Sequence, residues 1–167
     1  KGYSDLESIT ALGLEWRDLY PAKVTTYAYN DRKGNRVGAV KRTPDKNFFQ
    51  YSYEGEKLVA GLKGAKLPMY LAPQLESWIS QGLQIHLVEG EKDALSMASR
   101  GYPATSKSGG SDSTWEDANV EMFDGADVVI VADKDSAGER AAKDAYTALS
   151  AVAKSLRIVE AKKGKDA

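Results

Sequence analysis

The chain has 167 residues, 42% apolar and 28% charged, which suits one compact α/β unit with a small subdomain in front. Its formal net charge of −1 excludes a globally basic nucleic-acid binder, so any grip on a polyanion must come from a local patch or a bound cation. Having no cysteine and one histidine, His86, excludes disulfides, thiolate zinc sites, cysteine nucleophiles and multi-histidine metal centres, and fits a reducing, cytoplasmic setting.

Residues 1–23 read as a short helix and connector, with Asp5 capping "LESITALGL" and Gly13 ending it. "VTTYAYNDRKGNRVGAVKR" alternates on either side of "NDRKGN", which predicts a β-hairpin. "NFFQYSY" reads as a further strand. "LKGAKLPMYLAPQLESWISQGL" carries two prolines and then an amphipathic helix from about Pro73 to Gln81. The rhythm changes at Ile85. "IHLVEG" is a short strand ending in Glu89 and Gly90, and "EKDALSMASRG" is a helix stopped by Gly101. "PATSKSGGSDS" is polar and glycine-rich, hence a loop, and "TWEDANVEMFDG" reads as a helix. "ADVVIVAD" is a nearly continuous apolar strand of the kind buried on both faces. "SAGERAAKDAYTALSAVAK" is a long helix and "SLRIVEA" a last strand. Strands alternating with helices from Ile85 onward predict a parallel sheet flanked by helices. The expected organisation is a small mixed α+β subdomain over 1–82 and an α/β domain over 83–167, with the boundary near Gly82. No apolar run reaches the roughly 18–20 residues of a membrane span, and the chain from Lys1 to Ala167 reads as a piece of a longer protein.

The chemistry concentrates at two strand ends. In an open parallel sheet, ligands bind at the carboxyl ends of the strands. Asp133 and Asp135 stand where "VVIVA" runs out, and residues two apart in an extended segment point to one side. Such paired carboxylates repel unless a cation lies between them, and an all-oxygen set suits Mg²⁺ or Mn²⁺. Gly138 and the helix start offer backbone N–H groups suited to phosphate. Glu89 ends the other strand. If the two strands are neighbours it faces Asp133 and Asp135, as a ligand or as a general acid or base. The plainer alternative is that Asp135 caps the helix that follows it.

Other candidates have plain alternatives too. Lys92 can touch phosphate or be a solvated helix charge, and Asp93 can support the acids or favour the helix start. Lys134 points away from the two aspartates and can reach a nucleotide phosphate. "SKSGGSDS", with Lys107, Ser108 and Gly109, can cradle phosphate or be an ordinary connection, but it lacks the P-loop pattern. Arg42 and Lys46 flank "TPDK" before aromatics, a pattern for single strands or nucleotides, or simply a charged turn. Lys33, Arg36 and Lys41 would extend that basic stripe, and His86 is structural.

"LVEGEKDALSM", followed roughly forty residues later by "VVIVADKDSAGERAA", resembles the TOPRIM domain of bacterial-type primases, topoisomerases and some nucleases. The resemblance implies a general acid/base role for Glu89 and Mg²⁺ binding by Asp133 and Asp135. "YAYNDRKGNRVGAVKRTPDKNFFQY" resembles the subdomain that precedes TOPRIM in phage primase-helicases and mobile-element primases: a D-x-x-G hairpin, then an Arg and a Lys before an aromatic, here Arg42, Lys46 and Phe48. By that resemblance its basic residues face template and nucleotides. "EAKKGKDA" resembles a further motif whose acid maps to Asp166, one residue from the end.

The implied function is that of a DNA primase core. It would join nucleotides on single-stranded DNA from NTPs, with Arg42, Lys46, Lys92, Lys134, Ser108 and Gly109 around the nucleotide. Two Mg²⁺ ions would be held by Glu89, Asp133, Asp135 and Asp166. The cysteine-rich zinc module and helicase P-loop of such primases have no counterpart here, so fusion or binding to a helicase or a zinc-binding module is expected. Rival readings are a TOPRIM nuclease with the same metal site, a non-catalytic nucleic-acid-binding module, and a phosphoryl-transfer receiver or phosphatase. A topoisomerase would need a catalytic tyrosine and large gating domains that 167 residues cannot supply.

Overall fold

The computed structural model describes residues 24–110 and 113–160. The helix expected over the first 23 residues, and Asp166, lie outside them.

Four strands, β1 (Thr25–Asn30), β2 (Arg36–Arg42), β3 (Phe48–Glu54) and β4 (Lys57–Ala60), form an antiparallel meander in that order. The β1–β2 turn is built by its own side chains. Asp31 Oδ1 accepts from the backbone N–H of Lys33 at 2.9 Å and of Asn35 at 2.8 Å. Gly34 takes φ +85°, open to glycine at little cost. Alternation along β1 turns Tyr27 and Tyr29 inward, and both are buried.

Helix α1 (Ala72–Ser80) ends where Gly82 turns at φ +70°. Then come β5 (Ile85–Val88), α2 (Glu91–Ala98), β6 (Ala104–Ser106), α3 (Asp117–Val120), β7 (Asp127–Ala132), α4 (Ser136–Leu149) and β8 (Ser155–Glu160). The last four strands make a parallel sheet of order β6-β5-β7-β8, flanked by helices as expected. From β5 the chain crosses to β6 on one side, and from β7 to β8 on the other. The gap between the ends of β5 and β7 is therefore the topological switch point, where such sheets place their ligands.

Two cores lie on opposite faces of this sheet. Ile85, Leu87, Val128 and Ile130 pack with Leu75 of α1, Phe123 and Leu149 of α4. On the other face, Val88 packs with Ala94 of α2 and with Tyr27, Tyr29, Val40 and Tyr70. The front meander thus shares a core with the parallel sheet. α4 turns Gly138, Ala142, Ala145 and Leu149 inward, and three of these are small enough to let its first turns ride close to the sheet.

Three local expectations are corrected. "PATSKSGGSDS" is not all loop, since Ala104–Ser106 is a fully buried strand, and its pairing with β5 outweighs its polar composition. "TWEDANVEMFDG" holds only one α-helical turn, continued as a 3₁₀ turn over Glu121–Phe123. α4 ends at Leu149, because Ala126 is paired by the backbone N–H groups of Lys154 and Ser155 as the chain turns into β8.

Candidate active site

The two strands that carry the acids are direct neighbours, pairing Ile85 with Val128 through Leu87 with Ile130. Glu89 follows β5 and Asp133 follows β7, so the two carboxyls stand near enough for the charge of Asp133 to act on Glu89. Partial desolvation, then the charge of Asp133, then hydrogen bonding with Asp133 and the charges of Asp135 and Asp93 push the Glu89 carboxyl above its ordinary value. The opposite end of β7 behaves differently. Asp127 accepts from Ser155 Oγ at 2.5 Å and from Gln84 Nε2 at 3.1 Å, and these donors hold it below the usual carboxylate range. Asp127 at the start of β7 is satisfied by donors, whereas Glu89 at the end of β5 is crowded by neighbouring carboxylates. The crowded end is the chemically poised one.

Asp135 has the local role weighed against the functional one. It is the N-cap of α4, and its Oδ1 accepts from the backbone N–H of Ala137 at 3.1 Å and of Gly138 at 2.9 Å. Those two amides are therefore engaged by Asp135, which corrects the expectation that they are offered to phosphate. Its charge still reaches Glu89. Asp135→Ala is expected to lower stability by about 1 kcal/mol through the lost cap, read as a shift in the urea midpoint. An unchanged midpoint would dismiss the cap as a contributor.

Gly138 has a steric reason for being glycine. A Cβ there would stand 2.6 Å from the Asp133 carbonyl oxygen and 2.9 Å from its Cβ. The first turn of α4 sits directly on the residue that carries the acid.

Among the described residues, no three of the His, Cys, Asp and Glu side chains are already gathered as an ion-holding set. The donor chemistry nevertheless fits a hard divalent cation: all donors are oxygens, and Glu89 and Asp133 crowd each other in a way that a cation between them would relieve.

A cleft of about 670 Å³ opens from Glu89 toward the front meander, with Phe48, Phe49, Glu91, Lys107 and Gly109 on its walls. Phe48 and Phe49 are 54% and 51% exposed, unusual for two consecutive large apolar residues of one strand. Arg42 sits opposite Phe48 in the β2–β3 register, its guanidinium carbon 5.4 Å from the ring centroid. Lys41 lies over Tyr51 at 4.6 Å and Arg36 over Tyr53 at 5.6 Å, so cations and rings interleave across these strands. Lys46 is exposed at the β2–β3 turn with φ +61°. Ser108 and Gly109 belong to a loop laced by Ser113, whose hydroxyl donates to the Ser108 carbonyl at 2.9 Å. Lys107 Nζ bonds Ser113 Oγ at 2.6 Å beside the ring of Trp115, and burial lowers its pKa. Lys92 and Lys134 are exposed, on α2 and just past β7. His86 Nδ1 lies 3.0 Å from the Pro103 carbonyl, a structural contact.

One pair escaped the sequence reading. Tyr29 of β1 donates its hydroxyl to Glu91 Oε1 at 2.8 Å, across 62 residues, with both side chains buried. Burial, then the Glu91 charge, drives the Tyr29 hydroxyl far above its ordinary pKa. Alternation marks Tyr29 as inward-facing, but nothing local marks Glu91 as its partner.

Compared with known proteins, residues 86–167 match the Toprim-like family model. No curated protein sequence matches the chain. Among solved structures, it is similar to a chain in the bacteriophage T7 assembly of lagging-strand DNA polymerase with the primase domains of two gp4 subunits bound to an RNA/DNA hybrid and dTTP. That match has a TM-score of 0.61 at 24% identity and covers 87% of this chain and 69% of that one. It is also similar to the E. coli primase catalytic core, with a TM-score of 0.62 at 22% identity, over 86% of this chain and 46% of that one. A third likeness is to the RNA polymerase domain of Mycobacterium tuberculosis primase DnaG, with a TM-score of 0.62 at 20% identity, over 99% of this chain and 61% of that one. The chain therefore spans from just under half to about two thirds of these structures. What it shares with them is the fold.

Proposed function

We propose that this chain, whose residues 86–167 match the Toprim-like family model and whose fold is similar to that of primase catalytic cores, is the nucleotidyl-transfer core of a DNA primase. The observation that carries this reading is the pairing of Glu89 with Asp133 at the switch point, opening onto a cleft walled by Phe48 and Phe49. Residues 1–82 would be the template-facing part and 83–167 the catalytic part.

Asp133, Asp135 and Glu89, with Asp166, are the residues that would hold Mg²⁺ or Mn²⁺. Such an ion would neutralise the incoming triphosphate and polarise the attacking 3′-hydroxyl. The chain's own groups do the rest. Glu89, at the end of β5 beside Asp133, is placed either to hold the ion or to take the proton of that hydroxyl at its carboxylate. Arg42 and Lys46 would steady phosphates from the front meander, with Lys92, Lys134 and the Ser108–Gly109 loop around the nucleotide. Phe48 and Phe49 would stack bases of a single strand, which suits a template read without a duplex groove. The similarity to phage and bacterial primase cores supports fusion or association with a helicase or a template-recognition module in the native protein.

The test is incorporation of labelled NTPs or dNTPs on single-stranded DNA with Mg²⁺ or Mn²⁺. Metal-dependent oligonucleotide synthesis is expected. Metal-dependent shortening of the DNA would point to a nuclease, and neither activity would leave a binding module. Phe48→Ala is expected to weaken single-strand binding by about 1 kcal/mol, roughly fivefold, in fluorescence anisotropy. Undiminished binding would remove the stacking role.

A further inference from the structure

We propose that Glu91 is a positioning residue: held by Tyr29, it fixes the turn between β5 and α2 and so aims the Glu89 carboxylate at Asp133. The inference deepens the proposed function and rests on it. Glu91 is the first residue of α2, two positions beyond Glu89 and separated from it only by Gly90, which as the N-cap has no side chain with which to cap α2. A carboxylate at a helix start gains from the helix dipole while staying in water, so burial is not needed for that purpose. Here it is 8% exposed and receives the Tyr29 hydroxyl at 2.8 Å. Burying an ionised group is costly unless it is specifically bonded, so this pairing commits one geometry at this point of the fold.

The tie also reaches the front meander. Tyr29 is fully buried and packs at a tilt of 57° against Tyr70, ring centroids 5.4 Å apart, and Tyr70 in turn meets Tyr27 edge-on at 5.8 Å. β1 is paired through β2 to β3, which carries Phe48 and Phe49. One hydrogen bond therefore registers the cleft's aromatic wall against the acid-bearing turn. Glu91 lines the same cleft as Glu89.

The test compares Tyr29→Phe, Glu91→Gln and Glu91→Ala, each with a thermal melt and with Mn²⁺ affinity read by electron paramagnetic resonance. Positioning by a hydrogen bond predicts that Tyr29→Phe and Glu91→Ala weaken Mn²⁺ binding about fivefold or more. Glu91→Gln, which can still accept from Tyr29, should stay within about twofold of wild type. Equal losses in Glu91→Gln and Glu91→Ala would overturn the proposal, because the charge itself would then be what the ion needs. Wild-type affinity in Tyr29→Phe, with only the melt lowered, would overturn it as well and leave a structural strut. A wild-type chain that binds no Mn²⁺ would overturn the metal reading and this inference together.

Discussion

Replacing Asp133 with asparagine should reduce metal-dependent nucleotide incorporation by a factor on the order of 10²–10³ or more, the scale seen when a group facing developing charge is removed. Asparagine keeps the size and one oxygen but loses the charge that would hold the ion. The same change should raise the melting temperature in EDTA at neutral pH, for a reason visible in the site. The folded state binds a proton on Glu89 more tightly than the unfolded chain does, partly because Asp133 is beside it. Stability therefore falls as pH rises from the ordinary glutamate value of 4.5 through the raised folded value, and the loss is complete once the pH is above that folded value. Removing Asp133 removes much of the crowding, so the loss shrinks. Lower activity with higher metal-free stability marks a group kept for chemistry. Lower activity with lower stability would mark Asp133 as structural and would count against the proposed site.

Gly138→Ala is the second large effect. Alanine is the better helix former, so propensity alone predicts a gain. Steric contact decides otherwise. The added methyl would meet the Asp133 carbonyl oxygen at 2.6 Å and its carbonyl carbon at 3.0 Å, and backbone cannot swing aside as a side-chain end can. α4 must lift or the end of β7 must move, at a cost of about 1–3 kcal/mol. Either movement displaces Asp133, and misplacement by an ångström can cost about 10²-fold in rate. Urea denaturation and incorporation kinetics on the one variant read both effects. A variant as stable and as active as wild type would show that the close approach is not needed.

Both arguments turn on contacts between residues on different elements, and that is where sequence and structure divide. Elements with strong local signals were legible in the chain. Asp31, Gly34 and Asn35 make their own turn, β7 is a continuous apolar run, and α4 carries a helical stripe, so each follows from neighbours in sequence. β6 and α3 were misread because each is too short to show a period, and their form comes from the sheet edge and the core they cover.

The acids divide the same way. Glu89, Asp133 and Asp135 could be picked out as strand-end carboxylates, and their family resemblance made the choice specific. That Glu89 stands beside Asp133 depends on strand order β6-β5-β7-β8, which is set by crossovers and by burial on both faces of the sheet. The capping of α4 by Asp135 was readable, because it needs only the next three residues. The fit of Gly138 against Asp133 needed the helix to be docked. The Tyr29–Glu91 bond needed two parts of the chain 62 residues apart to share one core. By itself the sequence determined which residues carry charge and which local shapes they favour, because those depend on side-chain chemistry and near neighbours. Only the tertiary structure decided which carboxylate meets which, because that follows from packing surfaces that no short stretch contains.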